Sequence, residues 1–248
     1  METKFIDIHA HLADKAFDGG REELCSELSD FIVLNAGEGP EDNSKVIDIG
    51  VKHPNILPCI GLHPNALSSL GKVDIARSVD YLATHINRAF AISEIGLDYR
   101  GKSDREKTLQ KNVLSEIFEL TELKEKVCII HSRKAIEDIL SMLRSFKIKA
   151  IIHNFEGNQN QYLKAVEAGV YISISTGFIK YKRDNLIKKI DLNKLFLETD
   201  SPVLSPDSKI NTPLNIRKVL NYVATLRSMN ESELKDIIFS NFKDVFYG

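Results

Sequence analysis

The strongest constraint on this chain is a pattern that occurs eight times: a short apolar run, then a longer stretch with amphipathic-helix spacing. The apolar runs predict strands at 4–9, 31–36, 56–60, 89–93, 127–130, 150–153, 170–174 and 195–197. Helical patterns fill 21–29, 41–52, 73–87, 104–123, 134–146, 159–168 and 183–190, with two more at 213–226 and from Asn230 onward. Glu233, three residues after Asn230, fits a capping box at that last start. Strands apolar along their length and alternating with helices describe a parallel sheet covered on both faces. Eight of them predict an α/β protein with a closed (β/α)8 TIM barrel, and 248 residues suit one such domain over 1–248. A doubly wound open sheet is the alternative, but no GxGxxG follows the first strand. No linker, low-complexity segment or internal sequence repeat divides the chain.

A barrel collects its chemistry where strands end and βα loops begin. Reactive side chains gather at those places. Strand 1 ends in His9-Ala10-His11, strand 3 runs into Gly61-Leu62-His63-Pro64, and strand 4 ends at Glu94 within Ser93–Tyr99. His131 and His153 close strands 5 and 6, and Glu198-Thr199-Asp200-Ser201-Pro202 follows strand 8. The other two histidines, His53 and His85, fall near helix ends and read as capping or surface groups.

An i, i+2 spacing on a strand puts the His9 and His11 imidazoles on one face, and neutral imidazole is the commonest metal ligand. Six residues, His9, His11, Glu94, His131, His153 and Asp200, suffice for two divalent ions with shared ligands. Strands 1 and 8 are neighbours in a closed barrel, so His9, His11 and Asp200 would hold one ion. His131 and His153 would hold the other, with Glu94, halfway round, as the bridge. A single-ion site is the nearest alternative. Nitrogen and oxygen donors without thiolate suit Mg, Mn or Zn. Such ions acidify a water and polarise a phosphoryl or carbonyl oxygen, and Asp200 would take the water's proton as general base.

The formal net charge of −2 supplies no global cationic field for a polyanion, so local groups or bound cations must attract one. Three widely spaced cysteines without a CxxC read as reduced core residues. No apolar run approaches a membrane span and no leader pattern opens the sequence, which makes a cytoplasmic address the default expectation.

The succession HxH, G-hydrophobic-HP, EIGLDY, HSR, HxFxG and ETDSP closely resembles the TatD-type metal-dependent deoxyribonucleases of the amidohydrolase superfamily. The resemblance spans nearly the whole chain and takes in the late Asn211-x-Pro213 and Asn241-x-x-x-x-Phe246 elements. It implies a TIM barrel, two divalent ions held by the six residues named above, and phosphodiester hydrolysis, typically 3′→5′ trimming of DNA. The expected partner is DNA, single-stranded or at its 3′ ends, with no membrane and a monomer in preference to a stable oligomer. Lys134 in HSRKA and Thr212 in Asn211-Thr212-Pro213 depart from the usual HSRDA and NEP, and neither is a ligand.

Substrate contacts are expected from His63, Asp98, Arg133 and Lys182. Arg133 could face a phosphate at the rim. Asp98 could support a histidine ligand or cap the loop before Tyr99. Lys182 belongs to Lys180-Tyr181-Lys182-Arg183, whose charge and aromatic ring suit single-stranded nucleic acid. Phe155 and Phe178 are expected to be buried in the top of the barrel. The same residues admit two rival readings: the site acting on an ester, lactone or amide, including acyl groups on RNA ends, and a catalytically silent scaffold. Many members of the superfamily bridge their ions with a carboxylated lysine, so Glu94 at strand 4 favours the nuclease-like branch.

Overall fold

The structure, a computed structural model, describes residues 3–207 and 209–248. Eight parallel strands stand in sequence order: β1 Phe5–Ala10, β2 Phe31–Ala36, β3 Ile56–Ile60, β4 Ala91–Asp98, β5 Cys128–Arg133, β6 Ala150–Ile152, β7 Tyr171–Ile174 and β8 Leu195–Leu197. Beyond the strand ends, Asp200 N–H donates to His9 O at 3.0 Å and His11 N–H to Ser201 O at 2.8 Å, which brings the two ends of the sheet together. The result is the expected (β/α)8 barrel.

Helices α1 Arg21–Glu27, α2 Pro40–Lys52, α3 Lys72–His85, α4 Asp104–Leu123, α5 Ile136–Leu143 and α6 Gln159–Glu167 cover the sheet. Their starts follow local chemistry. Pro40 opens α2, where a missing N–H costs nothing, and Glu41 and Asp42 face the positive helix end. Reciprocal capping boxes join Ser103 to Glu106 and Asn158 to Gln161. The expected box at Asn230 does not form: α10 Glu231–Phe246 starts there without a side-chain cap. After β7 the expected helix at 183–190 is shortened to α8 Asp184–Ile187, and a second short helical turn that the sequence pattern did not indicate, α7 Gly177–Tyr181, precedes it. They break at Lys182, whose φ of 52° is left-handed. Helix α9 Ile216–Leu226 and α10 close the base, where Asn241 Nδ2 donates to Leu192 O and Leu195 O.

The three thiols are buried and free, and burial pushes each of them up. Phe155 and Phe178 are buried, as expected. No helix among the described residues is long and apolar enough to cross a membrane.

The register of the sheet is irregular at two places. Pairing of β1 with β2 shifts between Asp7 and Ala10, and pairing of β4 with β5 shifts between Ile92 and Ile95. Irregularities of this kind re-aim side chains next to active sites. Here they fall on His9 and on Glu94.

Candidate metal centre

Glu94 lies inside β4, not beyond it as the apolar run suggested, and is 3 % exposed. Gly61 makes room for it. A Cβ on Gly61 would lie 2.3 Å from Glu94 N and 2.4 Å from Glu94 O, so β3 reaches this depth only with glycine there. On the other side Gly96, with φ of 143°, sits against His131 O.

The two carboxylate oxygens of Glu94 face different groups. Oε2 lies 3.5 Å from His9 Nε2 and 3.3 Å from His11 Nε2. Oε1 lies 2.8 Å from His131 Nδ1, 2.9 Å from His153 Nε2 and 3.4 Å from His63 Nε2. Asp200 Oδ1 completes the first side, 3.5 Å from His11 Nε2 and 3.8 Å from His9 Nε2. Its φ of 55° is a left-handed conformation that a non-glycine residue holds only under constraint from its surroundings. All six sequence-predicted ligand-type residues therefore converge.

The donor set fits a cation. His9 Nε2 and His11 Nε2 approach to 3.0 Å, and His131 Nδ1 and His153 Nε2 to 3.2 Å. Nitrogen donors ~2.0–2.1 Å from a tetrahedral ion stand roughly 3.3 Å apart. Imidazole nitrogens turned toward one another and toward carboxylate oxygens are the arrangement that a dication between them satisfies.

Outer groups flank three of the four rings, two of them at hydrogen-bond distance. Ser93 Oγ is 3.3 Å from His9 Nδ1, Asp98 Oδ2 is 3.6 Å from His131 Nε2, and Glu198 Oε1 is 3.4 Å from His153 Nδ1. Partners of this type fix which ring nitrogen is left to bind metal. Asp98 combines both readings that the sequence allowed, since its Oδ1 also accepts from Arg100 N at 2.9 Å, capping the loop, while Asn65 Nδ2 donates to Oδ2.

Charge follows this geometry. Burial pushes Glu94 up, but the charges of His153 and His63 and hydrogen bonds from His11 and His131 hold it well below the usual carboxylate range. Burial also opposes protonation of His11 and His153, yet the carboxylates beside them raise both well above an ordinary histidine. His9 goes the other way, lowered by burial and by its neighbour His153. Asp200 is held low by the His11 hydrogen bond and by His9 and His153, against its own burial. Below them, burial pushes the carboxyl of Asp7 up to about 8, against hydrogen bonds from Thr199.

The cluster opens into a cavity of about 340 Å³ whose wall includes Asp14, Glu38, Asn65, Arg133, Asn154 and Glu156. Of the expected substrate contacts, His63, Asp98 and Arg133 line it. Lys182 does not. The left-handed turn at that residue carries its ammonium over the Tyr222 ring, 5.4 Å from the centroid. His53 and His85 lie apart, against Glu22 and Tyr81. Glu38, from the loop before α2, went unnoticed in the sequence: one of its oxygens is within 4.8 Å of donors on His11 and Glu94. Its Gly-Glu-Gly-Pro setting looks like an ordinary helix start.

A family model described as TatD related DNase matches residues 6–247. The chain belongs to the TatD family. It is a metal-dependent hydrolase of that family. Among its relatives is an uncharacterized metal-dependent hydrolase of Methanocaldococcus jannaschii, 28% identical over 245 residues, covering 97% of this chain and 96% of the relative. The human deoxyribonuclease TATDN3 is 25% identical over 257 residues, covering 97% and 94%. The crystal structure of the TatD homolog YJJV from Escherichia coli K12 superposes with a TM-score of 0.88 at 24% identity, over 100% of both chains. This TatD barrel thus carries its ligand-type residues on the fold of its relatives.

Proposed function

We propose that this TatD protein hydrolyses phosphodiester bonds of DNA, trimming strands from the 3′ end, with two divalent ions (Mg, Mn or Zn) shared through Glu94. The observation that carries the reading is the split of the Glu94 carboxylate, one oxygen toward His9 and His11 and the other toward His131 and His153. His9, His11 and Asp200 would hold one ion, and His131 and His153 the other, with His63 beside the second. Bound there, two divalent ions acidify a water and draw charge from the phosphoryl oxygens. Asp200, whose Oδ1 faces His11 and His9, would accept the proton of the attacking water at a carboxylate oxygen. Asp98 and Glu198 hold the rings of His131 and His153 in place while the charge shifts. Arg133, on the cavity wall, pairs with the phosphate and orients it.

The name of the human relative supports DNA as the substrate. The test is hydrolysis of end-labelled single-stranded DNA by metal-free protein with Mg, Mn or Zn added back in turn, and Asp200→Asn as control. Shortening from the 3′ end that requires metal and disappears in the control is the expected result. Tight metal uptake without cleavage of DNA would transfer the site to carboxyl esters or amides.

A further inference from the structure

A second hollow, of about 290 Å³, has as part of its wall the residue that follows Glu156 of the catalytic cavity. Its wall includes Gly157, Lys182, Arg183 and three amide side chains, Asn158, Gln159 and Asn185, and no carboxylate. Consecutive residues therefore line the two hollows, Glu156 the first and Gly157 the second.

Hydrogen bonds fix this arrangement from both ends. Thr176, which precedes α7, places Oγ1 2.8 Å from both Thr199 O and Leu204 O, and its one hydroxyl proton shared between them ties the start of the turn to the Asp200 loop. At the other end the Arg183 guanidinium donates to Phe155 O, Glu156 O and Gly157 O, at 2.9, 3.1 and 2.6 Å. Its charge therefore lies along the strip of backbone that separates the hollows. Between these anchors Lys180, Tyr181 and Lys182 are exposed, Tyr181 to 65 %.

Charge selects the path. Asp14, Glu38 and Glu156 stand on the catalytic wall with Arg133 as its one arginine, so a polyanion that has passed Arg133 meets like charge there. Across Gly157 it meets Lys182 and Arg183. We infer that this hollow binds a second phosphate of a single-stranded DNA substrate, one or more nucleotides from the scissile bond, with Lys182 as its charge partner and Tyr181 as a platform for a base. The inference rests on the DNA reading above and adds to it a subsite that rewards longer strands. Cationic grooves flanked by an exposed aromatic ring are how single strands are held without sequence preference.

The experiment measures binding apart from cleavage. Metal-loaded protein is titrated into fluorescent, cleavage-resistant phosphorothioate oligothymidylates of two and eight nucleotides, across a range of salt. Wild type is expected to bind the longer strand more tightly. Lys182→Gln should weaken the longer strand about fivefold and lower its salt slope by about 0.7, the value for one lost phosphate contact on a single strand. Lys182→Arg should retain most of the affinity. Lys235→Gln removes an equal charge beside Phe5, at the opposite end of the barrel, and should change nothing. Equal affinity of wild type for both lengths, or an unchanged longer-strand affinity in Lys182→Gln, would overturn the subsite. Tighter binding of oligouridylate would overturn its assignment to DNA. Should wild type bind by length and through Lys182 yet cleave no ordinary DNA, the nuclease reading falls and the subsite stands.

Discussion

The side-chain amide of Asn43 satisfies both backbone groups of Gly61: Nδ2 donates to Gly61 O at 2.8 Å, and Oδ1 accepts from Gly61 N at 2.9 Å. Both residues are buried. A residue in the first turns of α2 thereby locks the backbone position against which Glu94 rests. Asn43→Ala strands a buried donor and a buried acceptor together. The expected loss is about 2–4 kcal/mol, read as a thermal midpoint lowered by roughly 5–15 °C in a chain of this size. A midpoint within a degree of wild type would mean that water or backbone movement replaces the amide.

Gly61 itself offers a sharper test, because its two neighbours limit it differently from an ordinary loop glycine. In Gly61→Ala the new methyl meets β4 backbone, which has no flexible end to swing away. Overpacking of this kind costs about 1–3 kcal/mol, and the displaced group is Glu94, so metal affinity should fall with stability. Gly101→Ala is the contrast. Its φ of 70° strains alanine, but nothing lies within 4 Å of the added Cβ, so a cost of about 1 kcal/mol with normal metal affinity is expected. Calorimetric titration with Zn or Mn on both variants separates the two effects. Equal metal affinity in both would detach Gly61 from the placement of Glu94.

The strand count was legible because strands of a parallel barrel, buried on both faces, must be apolar runs. The extents of β4 and β5 were not. Ser93-Glu94-Ile95-Gly96-Leu97-Asp98 has the polarity of a loop, yet it is buried strand because its polar groups face one another in the barrel mouth. Histidines at strand ends were legible for the same reason that helical faces are: period and position fix direction. What the sequence hides is how the two Glu94 oxygens divide, since that depends on register shifts at His9 and Glu94 which no pattern of residue types encodes. The break at Lys182 was equally hidden, because Lys180–Ile190 has helical composition throughout.

If Glu94 joins two ions, Glu94→Ala removes a ligand from both. Hydrolysis should be lost, and calorimetry or elemental analysis should show weakened uptake of each ion while circular dichroism still reports a folded barrel. A variant that keeps one ion at wild-type affinity and wild-type turnover would reduce Glu94 to a ligand of one side.

Arg133 ends β5 on the cavity wall, and no ion pair within 4 Å engages it among the described residues. Its role as a phosphate partner predicts that Arg133→Ala raises KM for DNA about tenfold, roughly 1.4 kcal/mol, with metal content unchanged. Loss of metal in this variant, or an unaltered KM, would remove it from the substrate side of the site.

Glu198 is fully buried, accepts from Ser173 Oγ and presents its other oxygen to His153 Nδ1. That contact leaves His153 Nε2 directed at Glu94 Oε1, 2.9 Å away. Glu198→Gln keeps the volume and an acceptor for Ser173, but the neutral amide no longer draws the Nδ1 proton of His153 as a carboxylate does. Removing a carboxylate that orients a ligand histidine weakens metal binding about 10–100-fold. The loss should concentrate on the ion beside His131 and His153 and spare the one beside His9, His11 and Asp200, so titration should resolve one weakened event and one near normal. Ring-nitrogen NMR of His153 in metal-free protein gives a readout independent of turnover: without the Glu198 carboxylate the imidazolium should lose its proton at lower pH than in wild type. An unchanged titration together with unchanged metal affinity would leave Glu198 with a packing role alone.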